Sequence, residues 1–300
     1  MRFYIVDAFT EEVFGGNPAG VVLFAGETDF PAESVMLKTA AELRYSETAF
    51  LKPIQGGGAH LRYFTPTAEV DFCGHATIAA FTALLKIGAV ERNFAYPIHT
   101  LSGDLMIEVT EDNIMMEMPP SKLIKRIDAP AEIEELYKSL GIVYEPVTVS
   151  EVDGGDSAEL LPILIDTGFP DIFIPVKNSG ILSKIAPDFK ALTALSEKHG
   201  AGGAHAFTLD APEGYTASCR NFAPLYGIDE EAATGTASGG LSYYLHIHGL
   251  APSGSGCSFL QGEAMGRPSN IVSSIDVENE TAVIKVGGKG AILAEGEIFI

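Results

Sequence analysis

Three hundred residues, at about 150 per typical domain, set a prior of two domains, and a hydrophobic content of 46% with mean hydropathy +0.19 supplies material for packed cores and excludes a disordered chain. Nineteen Lys and Arg against forty Asp and Glu leave a net charge of −21. That charge argues against nucleic acid and membrane surfaces as partners, while a small anion held by helix dipoles at short range stays open. Cys73, Cys219 and Cys257 lack CxxC spacing, so neither a disulfide framework nor a zinc cluster is expected, and a reducing, cytoplasmic setting fits. The opening MRFYIVDAF reads as a strand rather than a signal peptide, and no run of 18 apolar residues occurs.

In chain order, Arg2 to Phe9 and Ala19 to Phe24 read as strands around a turn-prone Gly15-Gly16-Asn17-Pro18. Pro31 to Arg44 predicts a helix, with Pro31 in its first turn. Strands follow at Ser46 to Leu51, His60 to Phe64 and Asn93 to Ile98, and an apolar helix at Ala76 to Val90. After a strand at Ile114 to Met118, the proline-rich segment Pro119 to Pro130 reads as an interdomain connection. It separates a first domain, 1–120, completed by a C-terminal strand near 290–300, from a second, 130–285. The second half predicts helices at Ala131 to Leu140, Pro187 to Lys198 and Thr234 to His248. Its strands fall at Glu145 to Val152, Leu161 to Val176, Ala204 to Leu209 and Thr216 to Phe222. The tail adds strands at Ile271 to Val277, Ala282 to Val286 and Ile292 to Ile300, the last two split by Gly287-Gly288. Consecutive strands lie too close for crossovers, which favours an α+β fold.

One internal echo stands out. Arg62-Tyr63-Phe64-Thr65-Pro66 leads through Val70-Asp71 to Gly74-His75-Ala76-Thr77, and Arg220-Asn221-Phe222-Ala223-Pro224 leads through Ile228-Asp229 to Ala233-Thr234-Gly235-Thr236, at a constant offset of 158. Two similar halves facing each other, with a site built from matching loops, are the expectation. Each loop ends in small residues at a helix start, where free N–H groups and the helix dipole suit a carboxylate or an enolate-like oxyanion. Plain capping by Thr234, Thr236 or Asp71 explains the same residues.

Glu47 is the sharpest single residue. Strand alternation places it on the face of Ala49 and Leu51; if that face is covered, desolvation raises its pKa towards the range of proton transfer, and if the other face is covered it is a solvated strand residue. His75, beside Gly74 at a helix start, is expected as a neutral imidazole able to polarise a substrate oxygen, or simply as a cap. Cys73 is expected either with its thiol pKa lowered by that helix end or as an inert buried thiol. At offset 158 the counterpart of Cys73 is Glu231. His246 and His248 point to different helix faces and are discounted as ligands; no metal site is expected.

Asp7-Ala8-Phe9, Gly16-Asn17-Pro18-Ala19, Ser46-Glu47-Thr48, Phe64-Thr65-Pro66, Cys73-Gly74-His75-Ala76-Thr77, Phe222-Ala223-Pro224, Ala233-Thr234-Gly235-Thr236 and Gly266-Arg267-Pro268-Ser269 together resemble the phenazine-biosynthesis PhzF-like isomerases, over essentially the whole chain. The resemblance implies the diaminopimelate epimerase fold: two similar α+β domains related by pseudo-two-fold symmetry, each a curled, mostly antiparallel sheet around a central helix, with the site in the cleft. It implies that Glu47 is an acid/base shuttling a proton between two carbons of one substrate without a cofactor, with His75 in support. Glu231 is then a further catalytic carboxylate, and Asn17, Cys73, Gly74, Thr77, Thr234, Gly235 and Thr236 bind a small carboxylated substrate. It also makes a homodimer an expectation. The family pattern Glu-Asp-Pro-Ala-Thr-Gly-Ser stands here as Glu230-Glu231-Ala232-Ala233-Thr234-Gly235-Thr236, and its departures at Glu231, Ala232 and Thr236 predict a reshaped pocket and a substrate other than the phenazine precursor. An epimerase using the unlike bases Cys73 and Glu231, and a binding protein that holds a small carboxylate without turnover, are the alternatives.

Overall fold

A computed structural model describes residues 1–24, 29–149, 157–279 and 281–300. The chain forms two compact units, residues 1–117 with 287–300, and residues 118–286.

In the first unit, β1 (Arg2–Ala8) pairs antiparallel with β2 (Asn17–Leu23), and α1 (Glu33–Leu43) follows. The chain returns as β3 (Thr48–Pro53), parallel to β2, and β4 (Ala59–Phe64), antiparallel to β3. The short β5 (Glu69–Val70) lies on β4 and leads into α2 (Gly74–Lys86). Next come β6 (Phe94–Thr100), parallel to β4, then β7 (Gly103–Val109) and β8 (Ile114–Glu117), both antiparallel to their predecessors. The strand Gly290–Glu297 pairs with β1. α2 packs on β1, β2, β3, β8 and that last strand. Its sequence is apolar around its whole circumference because the sheet curls about it, and Ala76, Ala79, Ala80 and Ala83 let strands approach closely. α1 covers the other side of the sheet through Met36 and Ala40 against Val22, Phe50 and Phe64.

The second unit opens with β9 (Lys122–Arg126), so the segment expected as a connection is a strand, paired with a later one. α3 (Pro130–Ser139) starts at its proline, which gives up no N–H that a first turn needs. β10 (Val147–Val149) and β11 (Ala158–Leu160) form a separate two-stranded ribbon, and the expected strand residues 150–152 lie outside the described residues. β12 (Ile163–Asp166) pairs antiparallel with β9 and with β13 (Pro170–Pro175). After the single turn α4 (Ser179–Leu182) and α5 (Phe189–His199), capped by Asp188 and closed by a left-handed Gly200, β14 (Gly203–Thr208) runs parallel to β13. β15 (Ala217–Ala223) and β16 (Ile228–Glu231) lead into α6 (Gly235–Ile247), and β17 (Ser255–Gln261) then lies parallel to β15. β18 (Ser269–Glu278) pairs antiparallel with β17, and β19 (Thr281–Gly288) follows. α3 and α5 pack together, and residues of both join the cluster of Ile172, Ile174, Ala204 and Phe222 on one face. α6 covers the other, where a Cβ at Gly240 would stand 2.3 Å from the Phe173 ring, so only glycine permits that approach.

The two units therefore share one connection order: antiparallel pair, helix, parallel return, antiparallel pair, short strand, central helix, parallel return. The echo extends to side chains. Arg62 forks onto Glu69 with two bonds of 2.6 Å and lies over Phe64; Arg220 forks onto Glu230 with two bonds of 2.8 Å and lies over Phe222. The constant offset of 158 fails beyond these strands, because the central helices start at Gly74 and Gly235, 161 apart. The second unit has three more residues ahead of its helix. The structural counterpart of Cys73 is thus the N-cap Thr234, not Glu231, which ends β16.

Candidate active site

β3 is covered on both sides: Phe50 faces α1, while Ala49, opposite Tyr63, faces α2. Glu47 immediately precedes β3, and its carbonyl accepts from Gly20 N on β2. Two-residue alternation therefore directs its side chain towards the start of α2, into a partly covered position.

There, Glu47 Oε2 lies 3.2 Å from His75 Nε2, with the side chains 18% and 7% exposed. Ser46 Oγ lies 3.3 Å from the same ring nitrogen, and Cys73 Sγ lies 3.4 Å from His75 Nδ1. The extended backbone of Cys73, at φ −146°, turns its side chain back over the first turn of α2 and so brings it to the imidazole. Thr77 Oγ1 donates to the Cys73 carbonyl at 2.8 Å and lies 2.7 Å from Tyr63 Oη. Thr77 is fully buried, so its hydroxyl fastens the helix start and is not presented to a ligand. Gly74 opens the helix. Asn17 is buried at the start of β2, at the same end of the parallel β2–β3 pair as Glu47.

The electrostatics depart from expectation. Burial pushes the Glu47 carboxyl up, but the contact with and charge of His75, with help from Ser46 and Cys73, outweigh it and hold Glu47 below its usual value. Burial pushes His75 down, but the Cys73 sulfur and the Glu47 carboxylate outweigh that and hold it well above the usual imidazole value, so the neutral ring expected at a helix start gives way to a protonated one. Burial pushes the Cys73 thiol up, which fits the inert buried thiol among the two readings open for it and not the lowering by the helix end. The donor atoms of Glu47, Cys73 and His75 lie within 4.8 Å of one another, close enough to share a cation.

In the second unit, Thr234 Oγ1 donates to Glu231 Oε2 at 2.8 Å. Gln261, fully buried on β17, donates to the Glu231 carbonyl at 2.8 Å and to Thr234 Oγ1 at 3.0 Å, and accepts from Thr234 N. Ser269 Oγ donates to the Ala232 carbonyl at 2.7 Å, and Thr167 Oγ1 to the Thr236 carbonyl at 3.1 Å. Glu231, Thr234, Gly235 and Thr236 thus gather at the start of α6, and the longer reach of Glu231 is tied back by Thr234. Neither N-cap side chain, Cys73 or Thr234, makes a capping hydrogen bond, so of the residues expected to cap, Thr234 does not. Ser46 and Ser269 lie inside Ser46-Glu47-Thr48 and Gly266-Arg267-Pro268-Ser269 but are not singled out there, and Gln261 lies in none of the motifs. Gln261 ends β17 (Ser255–Gln261), a strand with no counterpart among the elements expected from sequence.

The pattern of the phenazine biosynthesis-like protein family matches residues 6–296. A chain from Clostridium acetobutylicum described as an uncharacterized isomerase is 33% identical, covering 100% of this chain and 98% of its own length. The trans-2,3-dihydro-3-hydroxyanthranilate isomerase of Pseudomonas fluorescens is 31% identical, covering 100% of this chain and 99% of its own. Among solved structures, a Bacillus anthracis phenazine biosynthesis protein of the PhzF family superposes with a TM-score of 0.85 at 28% identity, covering 100% and 99% of the two chains. By its residues, its fold and these likenesses, this chain belongs to the phenazine biosynthesis-like protein family.

Proposed function

We propose that the protein is an isomerase that moves a proton between two carbons of one small carboxylated molecule, with Glu47 as the single acid/base and no cofactor. The observation that carries this reading is the Glu47–His75 contact. The glutamate is held ionised, hence ready to take a proton, in a partly dry position where carboxylate basicity is not levelled by water. Glu47 takes a proton from one substrate carbon and returns one to another carbon of the same molecule, and while it carries that proton its partly exposed carboxyl can exchange it with solvent. His75 keeps its own proton and orients the carboxylate through Nε2, while Ser46 lies against the same nitrogen. The N–H groups at the start of α2 receive the substrate carboxylate or the oxyanion that develops as the C–H bond breaks. The start of α6, with Thr234, Gly235 and Thr236, offers a second set, and Glu231 a second carboxylate. The relatives' name supports the reaction class; the glutamate and the alanine that replace the family's Asp-Pro support a substrate different from theirs.

The test is proton washout in heavy water, followed by NMR, across cyclic and unsaturated carboxylic acids that include trans-2,3-dihydro-3-hydroxyanthranilate. Washout from at least one acid, lost in Glu47→Gln, is the expected result. Washout that survives that substitution overturns the single-glutamate mechanism. An epimerase using Cys73 would instead invert one centre and fail in Cys73→Ala.

A further inference from the structure

α2 carries His75 at its start, and a separate cavity lies at its other end. Phe3 packs on the α1 side of the sheet, so Arg2, Tyr4, Val6 and Ala8, which alternate with it along β1, turn towards α2. Val6 and Ala8 are fully buried there. α2 ends at Lys86, however, and at that end the same face opens into a cavity of about 440 Å³ lined by Arg2, Tyr4, Lys86, Ile87, Glu295 and Glu297. Thirteen helical residues put it about 20 Å from the helix start at Gly74. Tyr4 is 2% exposed, yet its hydroxyl has no hydrogen-bond partner among the described residues and is not closed off from solvent. The other buried tyrosines each have a partner: Thr77 for Tyr63, Glu91 for Tyr96, the Pro175 carbonyl for Tyr137 and the Leu161 carbonyl for Tyr244. A buried phenol normally finds such a partner within the protein; this one is offered to the cavity.

Around that hydroxyl stand charges of both signs. On the strand Gly290–Glu297, Glu295 lies beside Tyr4 and Glu297 beside Arg2, so these four share one face. The side chains of Arg2, Lys86, Glu295 and Glu297 make no ion pair or hydrogen bond with one another or with any other described residue. Two cations and two carboxylates are thus held apart around one cavity. The last carbonyls of α2, beside Ile87, add the negative end of the helix dipole. A simple anion would meet the two glutamates and the helix end, and a simple cation would meet Arg2 and Lys86. A molecule that carries both charges meets neither penalty. We propose that this cavity binds a free α-amino acid. Its carboxylate accepts from the Arg2 guanidinium and the Tyr4 hydroxyl, and its ammonium group donates to Glu295 and Glu297 at the end of α2. The volume is that of a small-molecule site. Nothing in this inference depends on the role given to Glu47.

The whole protein with ¹³C-labelled tyrosine rings tests this by NMR, the Tyr4 signal being the one lost in Tyr4→Phe. L-Alanine and L-phenylalanine are the probes; propionate and ethylamine, which carry one charge each, are the controls. A saturable shift of the Tyr4 signal with at least one amino acid, and with neither control, is expected. Arg2→Gln, at an exposed position, should weaken that binding by about tenfold, as expected for one charge-assisted hydrogen bond. No saturable shift with either amino acid overturns the site. An equal shift with propionate or ethylamine overturns the requirement for both charges, and binding that Arg2→Gln leaves unchanged overturns the contacts assigned to the carboxylate. Should Tyr4→Phe fail to fold, calorimetric titration of the wild type against Arg2→Gln and Glu297→Gln decides by the same criteria.

Discussion

Glu47 Oε2 and His75 Nε2 stand 3.2 Å apart, one contributed by the residue ahead of a strand and the other by the second residue of the central helix. This contact reverses the direction in which burial alone would move both groups. It favours the ionised glutamate and the protonated histidine.

Washout should therefore persist to acid pH. Because Glu47 is held below its usual 4.5, the acidic limb of kcat/KM is expected below that value, and Glu47→Gln should lower the rate by about 10²- to 10⁴-fold at neutral pH. In His75→Gln the limb should move to higher pH, since the group that lowers Glu47 is gone. An acidic limb above 4.5 in the wild type would show that desolvation dominates.

The same pair has a signature in stability. A carboxyl lowered by folding contributes stability above its usual 4.5, lost as pH falls through the folded value; an imidazole raised by folding contributes stability below its usual 6.5, lost as pH rises through the folded value. The pair is thus most stabilising between these two pH values. Thermal melts of the wild type and His75→Gln should differ most in that window and converge on the alkaline side.

The cysteines should be silent in the native protein. Burial pushes the thiols of Cys73, Cys219 and Cys257 up, which removes the thiolate that reacts with disulfide reagents. Thiol titration is expected to find no fast-reacting group in the folded state and three after unfolding. A fast native thiol that disappears in Cys73→Ala would contradict the neutral state assigned to Cys73.

Arg220 should matter more to folding than its counterpart Arg62. Its side chain is 11% exposed against 26%, and beyond the fork onto Glu230 it donates to the carbonyls of Leu182 and Ile185. Arg220→Ala leaves a partly buried carboxylate and two carbonyls unanswered and is expected to cost about 3 kcal/mol in denaturant unfolding. Arg62→Ala should cost less. Equal losses would mean that the two forks are energetically alike despite their burial.

Much of the site was legible because it is encoded in short stretches. Glu47 follows from its place beside an apolar strand, and Cys73-Gly74-His75 from small residues at a helix start; the structure brings these together. The shared order of the two units was legible in the Arg-x-Phe-x-Pro echo, since each copy must form the same strand, Arg–Glu fork and Arg–Phe contact. What slipped was register. Three additional residues ahead of α6 move the helix relative to the strand, and a linear offset taken from the strand assigns Glu231 to a position that Thr234 holds. β9 slipped as well, because its exposed, basic pattern reads as a connection until β12 pairs with it.

The sequence by itself determined the first strands, the two apolar helices and the residues able to do proton chemistry, because periodicity, small helix starts and local repeats are properties of neighbouring residues, whereas β7, β9 and β17 show only in their pairing. The tertiary structure alone decided their protonation. Whether Glu47 is raised or lowered depends on an imidazole 28 residues away. Desolvation, charge and hydrogen bonding act through space and compete with similar strength, so their sign is set only when the chain has placed the groups together.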